Sequence, residues 1–165
     1  MKRTFLITGA KGHLGGTLVR MLRDGPAQVR GLVLPGEAAQ DGGNVRYFRG
    51  DVRDLESLRP FFSGAEGEVI VIHTAGIVDI ANEVTPLMAD VNVGGTKNIL
   101  TLCREYGVKR LVYVSSVHAI PEPDRDSVLQ EVDSFDPDRV VGGYAKTKAM
   151  ATQAVLDAAK DGLDA

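Results

Sequence analysis

Short runs of apolar residues alternate along this chain with stretches in which apolar positions recur every three or four residues. Arg3–Thr8 reads as a first strand and runs into glycines. His13–Arg23 reads as a helix with Leu14, Leu18, Met21 and Leu22 on one face. Gln28–Leu34 reads as a second strand, stopped by Pro35-Gly36, and Val45–Phe48 as a short third. Asp54–Phe62 reads as a helix that Asp54 can cap. Val69–His73 and Arg110–Ser115 are near-continuous apolar runs, the pattern of strands buried on both faces. Between them, Pro86–Tyr106 reads as a long helix ended by Gly107. Glu122–Val141, rich in Pro and Asp, reads as a loop with room for one helical turn, and Gly143–Lys160 as a last helix. Strands alternating with helices predict an α/β fold: a doubly wound, Rossmann-like parallel sheet with right-handed crossovers and strand order 3-2-1-4-5.

Composition narrows the class without changing this outline. A chain of 165 residues, 44% apolar and 25% charged, suits a single globular domain over residues 1–165. The net charge of −3 is dispersed, with neither the basic stripe of a nucleic-acid binder nor a polybasic membrane patch. No apolar run approaches the ~20 residues of a membrane span. Cys103 is the single cysteine, so no internal disulfide can form, and a reducing, cytoplasmic setting is expected.

The chemistry gathers at the two ends of the chain. Thr8-Gly-Ala-Lys-Gly-His-Leu-Gly15 places Gly9, Gly12 and Gly15 between the first strand and its helix, where a backbone free of Cβ atoms can approach a pyrophosphate at a helix N-terminus. Lys11, His13 and Leu14 belong to the same turn. The spacing G-x-x-G-x-x-G also occurs in tight turns that bind nothing, but its place between a first strand and a helix favours nucleotide binding. Asp51, followed by Val52, ends the third strand, where a carboxylate can accept the amino group of an adenine or serve a turn. Thr74, Ala75 and Gly76 end the fourth strand and leave room for a ribose. His73 before them reads as a packed core histidine rather than a catalyst. Asn92 lies mid-helix, where a structural hydrogen bond and a site contact are equally consistent with its position. The neighbouring Gly94 and Gly95 predict close packing.

At the other end, Ser115 and Ser116 close the fifth strand, and at most one can face a substrate carbonyl. Tyr144 and Lys148 are four residues apart and share a helix face, so the ammonium can favour the phenolate. An ordinary surface pair has the same spacing.

Taken in order, Thr8–Gly15, Gly50–Asp54, Val91–Thr96, Gly107–Ser116 and Tyr144–Lys148 resemble the short-chain dehydrogenase/reductase superfamily. The resemblance is to its extended branch, the NAD-dependent epimerase/dehydratase and dihydroflavonol-reductase-like proteins. It implies that Gly9, Gly12 and Gly15 shape the pyrophosphate loop and that Asp51 holds the adenine. It also implies that Ser116 polarises the reacting oxygen, that Tyr144 is the acid/base, and that Lys148 lowers the tyrosine pKa and binds the nicotinamide ribose. Two departures stand out. Leu34 occupies the place of the usual ribose reader, Asp for NAD or Arg for NADP, with Glu37 past the turn and Lys11 at a position basic in some NADP users. The choice between NAD and NADP therefore stays open. Members of the branch are also substantially longer, so this chain is expected to be their N-terminal part, truncated before the last strands and the substrate-binding part, and to turn over poorly alone.

The leading expectation is an NAD(P)-dependent oxidoreductase that interconverts a carbonyl and a secondary alcohol of a small-molecule substrate. A nucleotide-sugar epimerase or dehydratase with bound NAD uses the same residues, and a non-enzymatic NAD(P)-binding sensor is the alternative outside catalysis. The resemblance implies a possible homodimer through the helices at Pro86–Tyr106 and Gly143–Lys160; nucleic acid, membrane and metal are not expected.

Overall fold

A computed structural model describes residues 2–80, 82–123 and 128–165 of the chain. Five strands form one parallel sheet in the order β3-β2-β1-β4-β5, as the alternating pattern predicts. They are β1 (Arg3–Thr8), β2 (Gln28–Val33), β3 (Val45–Arg49), β4 (Glu68–His73) and β5 (Arg110–Tyr113). β1 lies at the centre, with Ile7 opposite Gly31 of β2 and Ile72 of β4. Leu6 and Ile7 are both fully buried although they face opposite sides of the sheet. That is the cost-free arrangement for an apolar strand covered by helices on both faces.

One face is packed by α1 (His13–Leu22), whose Val19 joins Ile7, Val29, Val33 and Val45. The other is packed by α2 (Leu55–Phe62), α4 (Gly95–Glu105) and α5 (Gly143–Lys160), which bring Leu58, Phe61, Phe62, Ile99, Leu102 and Val155 onto Leu6, Val71 and Leu111. Asp54 caps α2 as expected, accepting from the backbone N–H of Glu56 and Ser57.

The long helix expected over Pro86–Tyr106 is three pieces. α3 (Pro86–Ala89) leads through a π-helical turn at Asp90–Gly94 into α4. Such turns widen a helix by one residue and collect at functional sites. Gly95 is there for packing, since a Cβ would lie 2.6 Å from Val52 Cγ2, whereas Gly94 has nothing nearer than Ala89 O at 4.0 Å. Other departures are local. On α1, Met21 is 75% exposed and Leu14 turns out of the core, so the expected apolar face narrows to Val19 with half-buried Leu18 and Leu22. β5 stops at Tyr113, opposite His73, the last residue of β4, and the Val114 N–H makes one further bond, to His73 O at 3.1 Å. The expected loop Glu122–Val141 includes residues 124–127, which lie outside the described residues; its helical turn is a 3₁₀ turn at Pro137–Arg139. No helix among the described residues is long and apolar enough to cross a membrane.

Candidate functional site

The first strand delivers the chain to the C-terminal edge of the sheet, where it must reverse into α1. Gly9 makes the turn with φ +64°, a conformation that favours glycine. The Gly12 N–H then donates to Gly9 O at 2.9 Å, and the Gly16 N–H to Gly12 O at 2.9 Å. Gly15 lies one helical turn on, where a Cβ would come within 2.2 Å of Gly9 O. The helix start is thus pressed onto the turn by the absence of a side chain. Gly12 caps α1 without a side-chain bond, and no acid occupies the first helical turn. The N-terminal N–H groups of α1 therefore face the adjoining cavity as a cradle for an anion.

That cavity, of about 580 Å³, runs along the ends of β1, β2, β3 and β4. Its volume falls within the range of small-molecule and cofactor sites. It is lined by Gly9, Lys11, Gly12, His13, Leu14 and Gly15 from the turn. Asp51 and Val52 come from the end of β3, and Thr74, Ala75 and Gly76 from the end of β4. The glycine cradle, an elongated cavity at the sheet's C-terminal edge and acceptors at its far end together fit a dinucleotide.

Glu37, past the turn after the second strand, and Arg53, which the sequence does not single out, complete the rim. Glu37 folds back after Pro35-Gly36, and its Oε2 accepts the Leu34 N–H at 2.8 Å. Arg53 clamps Asp51: its Nε reaches both carboxylate oxygens at 3.0 Å and its Nη2 reaches Oδ2 at 2.6 Å. Asp51 Oδ1 also accepts the Arg53 N–H, so this aspartate serves its own turn and lines the cavity as well. The Arg53 guanidinium holds the Asp51 carboxyl below the usual carboxylate range.

Asn92, Ser116, Tyr144 and Lys148 lie outside the cavity lining. Asn92 sits in the π turn and grips the segment after β4. Its Oδ1 accepts from Ile77 N–H at 2.7 Å, and its Nδ2 donates to Ile77 O at 2.9 Å and to Thr147 Oγ1 at 3.1 Å. It ties the cavity wall, which Ile77 lines, to α5.

Donor counting separates the two serines. The single hydroxyl proton of Thr152 goes to Lys148 O at 2.7 Å, so Ser115 must be the donor in its 2.6 Å bond with Thr152. Ser115 is committed to α5. Ser116 Oγ accepts only a long 3.3 Å bond from His118 N–H among the described residues. Tyr144 is half-buried on the first turn of α5, with its ring edge-on to His118 at 6.4 Å. Lys148, only 7% exposed, makes two bonds among the described residues, and neither goes to Tyr144. Its Nζ donates to Val114 O at 2.6 Å and to Tyr113 Oη at 2.7 Å. Burial pulls the ammonium pKa down to about 8 and pushes the Tyr113 phenol up to about 12.

A buried polar chain links this region to the glycine turn. Thr8 Oγ1 accepts from the N–H groups of Thr74 and Ala75, both at 3.1 Å, so its proton goes to His73 Nδ1 at 2.6 Å. The Nε2–H of His73 then donates to Thr96 Oγ1 at 3.1 Å, and Thr96 donates to Asn92 O at 2.7 Å. His73 is thereby one neutral tautomer, and burial pushes its pKa down to about 3. It is the packed core residue that its setting in the sequence predicts.

Against known proteins, the 3-beta hydroxysteroid dehydrogenase/isomerase family matches residues 6–164. Sterol demethylase protein B of Methylococcus capsulatus is 36% identical over 98% of this chain and 48% of its own length. The 3 beta-hydroxysteroid dehydrogenase type 7 of Mus musculus is 31% identical over 93% of this chain and 44% of its own. The chain therefore spans about half the length of these relatives. Among solved structures, the terminal R domain of the myxalamid PKS-NRPS pathway superposes with a TM-score of 0.81 at 27% identity, covering 98% of this chain and 47% of that one. The Thermus thermophilus UDP-glucose 4-epimerase, solved with NAD, superposes with a TM-score of 0.75 at 24% identity, over 98% of this chain and 52% of that one, a likeness of fold.

Proposed function

The chain belongs to the 3-beta hydroxysteroid dehydrogenase/isomerase family, and from that premise we propose that it is the dinucleotide-binding and catalytic half of an NAD(P)-dependent oxidoreductase acting on a secondary alcohol or its ketone. The observation that carries this reading is the glycine cradle and its cavity at the C-terminal edge of the sheet, the same edge at which Ser116 follows β5. Gly9, Gly12 and Gly15 would hold the pyrophosphate, with Asp51 toward the adenine. When bound, the nicotinamide supplies the hydride chemistry.

The chain's own residues do the rest. Ser116 Oγ donates to the substrate oxygen, and Tyr144 Oη gives or takes its proton. Lys148, one helical turn beyond Tyr144 on α5, favours the tyrosinate of Tyr144. Asn92 keeps the wall at Ile77 in register with α5. Val117, next to Ser116, and Val141, three residues before Tyr144, are 58% and 93% exposed, which suits an apolar substrate body.

The test combines binding and turnover. NADH or NADPH fluorescence should titrate saturably with the chain. In the complete protein, Tyr144→Phe should lower kcat for oxidation of a 3β-hydroxysterol by about 100-fold or more, leaving dinucleotide affinity within about threefold. Binding that saturates alongside turnover indifferent to Tyr144→Phe would replace this reading with that of a non-catalytic sensor.

A further inference from the structure

The end of β5 grips Lys148 with two acceptors. Tyr113 Oη and Val114 O, neighbours on the chain, accept from the same ammonium at 2.7 Å and 2.6 Å. An ammonium has three N–H donors, so two are spent on the strand end and tetrahedral geometry directs the third away from both acceptors. Val114 O alone would leave the head free to turn about a single bond. Because Lys148 is buried, bulk water would not replace a lost partner.

Tyr113 is held in turn. Its hydroxyl has hydrogen-bond neighbours in Thr96 of α4 and Thr152 of α5. Each threonine has already given away its one proton, Thr96 to Asn92 O and Thr152 to Lys148 O, both at 2.7 Å. The Tyr113 proton therefore goes to a threonine oxygen, and its own oxygen is left to accept from Lys148. The two helices that flank β5 thus fix this phenol as a neutral acceptor. The titratable groups facing the pair are few. The ring of His73, itself neutral, packs against Tyr113 with centroids 5.8 Å apart. Tyr144 lies one helical turn before Lys148, with His118 against its ring.

Resting on the reading of Tyr144 as the acid/base, we infer that Tyr113 is a positioning residue of the reaction: it stays a neutral phenol and, with Val114 O, anchors the Lys148 ammonium at the strand end, so that the cation stays one helical turn from Tyr144 instead of swinging free. Tyr113 neither gives nor takes a proton during turnover.

The experiment is the pH profile of kcat/KM for oxidation of a 3β-hydroxysterol by the complete protein, a direction in which Tyr144 must first lose its proton. Tyr113→Phe keeps the ring and removes the acceptor. The acid limb should move to higher pH by at least about 0.5 unit, because a loosened cation favours the tyrosinate less. Ser115→Ala cuts a different tie between the end of β5 and α5, the 2.6 Å bond to Thr152, and should leave the limb in place. A merely structural role for Tyr113 would lower the height of the profile without moving its limb, and an unmoved or lowered limb would overturn the inference. So would an equal shift in Ser115→Ala. If Tyr113→Phe does not fold, ¹⁵N-lysine spectra of the unaltered protein decide. Ammonium protons held by two acceptors should exchange at least about tenfold more slowly than those of exposed lysines, and exchange at the exposed rate would sink the idea. Tyr144→Phe, run alongside, separates the two readings. Lost turnover there, with an unmoved limb in Tyr113→Phe, removes this inference alone. Retained turnover in Tyr144→Phe removes the acid/base reading and this inference with it.

Discussion

The ammonium of Lys148 rests on Tyr113. Nζ donates to Tyr113 Oη at 2.7 Å and lies 4.3 Å from the centre of its ring. The phenol at the end of β5, not Tyr144, is thus the tyrosine bonded to a lysine whose sequence spacing points only to Tyr144. Tyr113→Phe keeps the ring and removes the acceptor. It should cost about 1 kcal/mol in urea unfolding. It should also lower the Lys148 pKa further, because a bond to the charged form is lost, a shift readable by NMR of ¹⁵N-labelled lysine.

Lys148 also gives the fold a pH dependence of defined sign. Its pKa falls from 10.5 unfolded to about 8 folded. Between those values the unfolded chain binds more protons, so this group makes stability rise with pH from about 8 toward 10. Tyr113, raised from 10.0 to about 12, acts in the opposite direction above pH 10. The urea midpoint should climb between pH 7.5 and pH 9.5, by about a tenth or more, and Lys148→Met should flatten that climb.

On the acid side the same reasoning points to His73. Its pKa drops from 6.5 to about 3 on folding, so the stability it lends is complete above 6.5 and is lost as pH falls toward 3. His73→Gln should cost about 1–3 kcal/mol at pH 7, from two imperfectly replaced buried bonds. In exchange, the slope of stability against pH between 6 and 4 should become shallower in thermal melts.

The glycine turn offers the most severe single test. Gly15→Ala places a Cβ 2.2 Å from Gly9 O and 2.8 Å from Thr74 Oγ1. The backbone has to move, at a cost of about 1–3 kcal/mol. Because the turn itself shifts, dinucleotide binding should weaken by about 100-fold or more in the fluorescence titration.

How far the chain could be read in advance followed the range of the forces involved. The strand order and the bounds of β1 and α5 were legible, because apolar runs buried on both faces and glycine boundaries are local signals. The glycine turn, Asp51 and Thr74–Gly76 were legible as neighbours, since a doubly wound sheet brings strand ends to one edge. Side-chain reach was not. Nothing in the spacing of Leu34 and Glu37 states that a carboxylate returns to the strand end, or that Arg53 closes on Asp51. The π turn was hidden too. Val91–Thr96 shows two helix-weakening glycines, but the bonds from Asn92 to Ile77 and Thr147 that accompany the wider turn are made 15 and 55 residues away.

The start of α5 is set by two glycines. Gly142 approaches it with φ +97°, and at Gly143 a Cβ would meet Glu83 O at 2.1 Å. Bare backbone therefore abuts bare backbone one residue before Tyr144. The phenol is aimed by a missing methyl group, so a designer transplanting Tyr144-Ala-Lys-Thr-Lys148 to another scaffold would carry over the side chains and lose the aim. The portable unit is the glycine pair together with the strip of chain at residues 83–84 that it rests on.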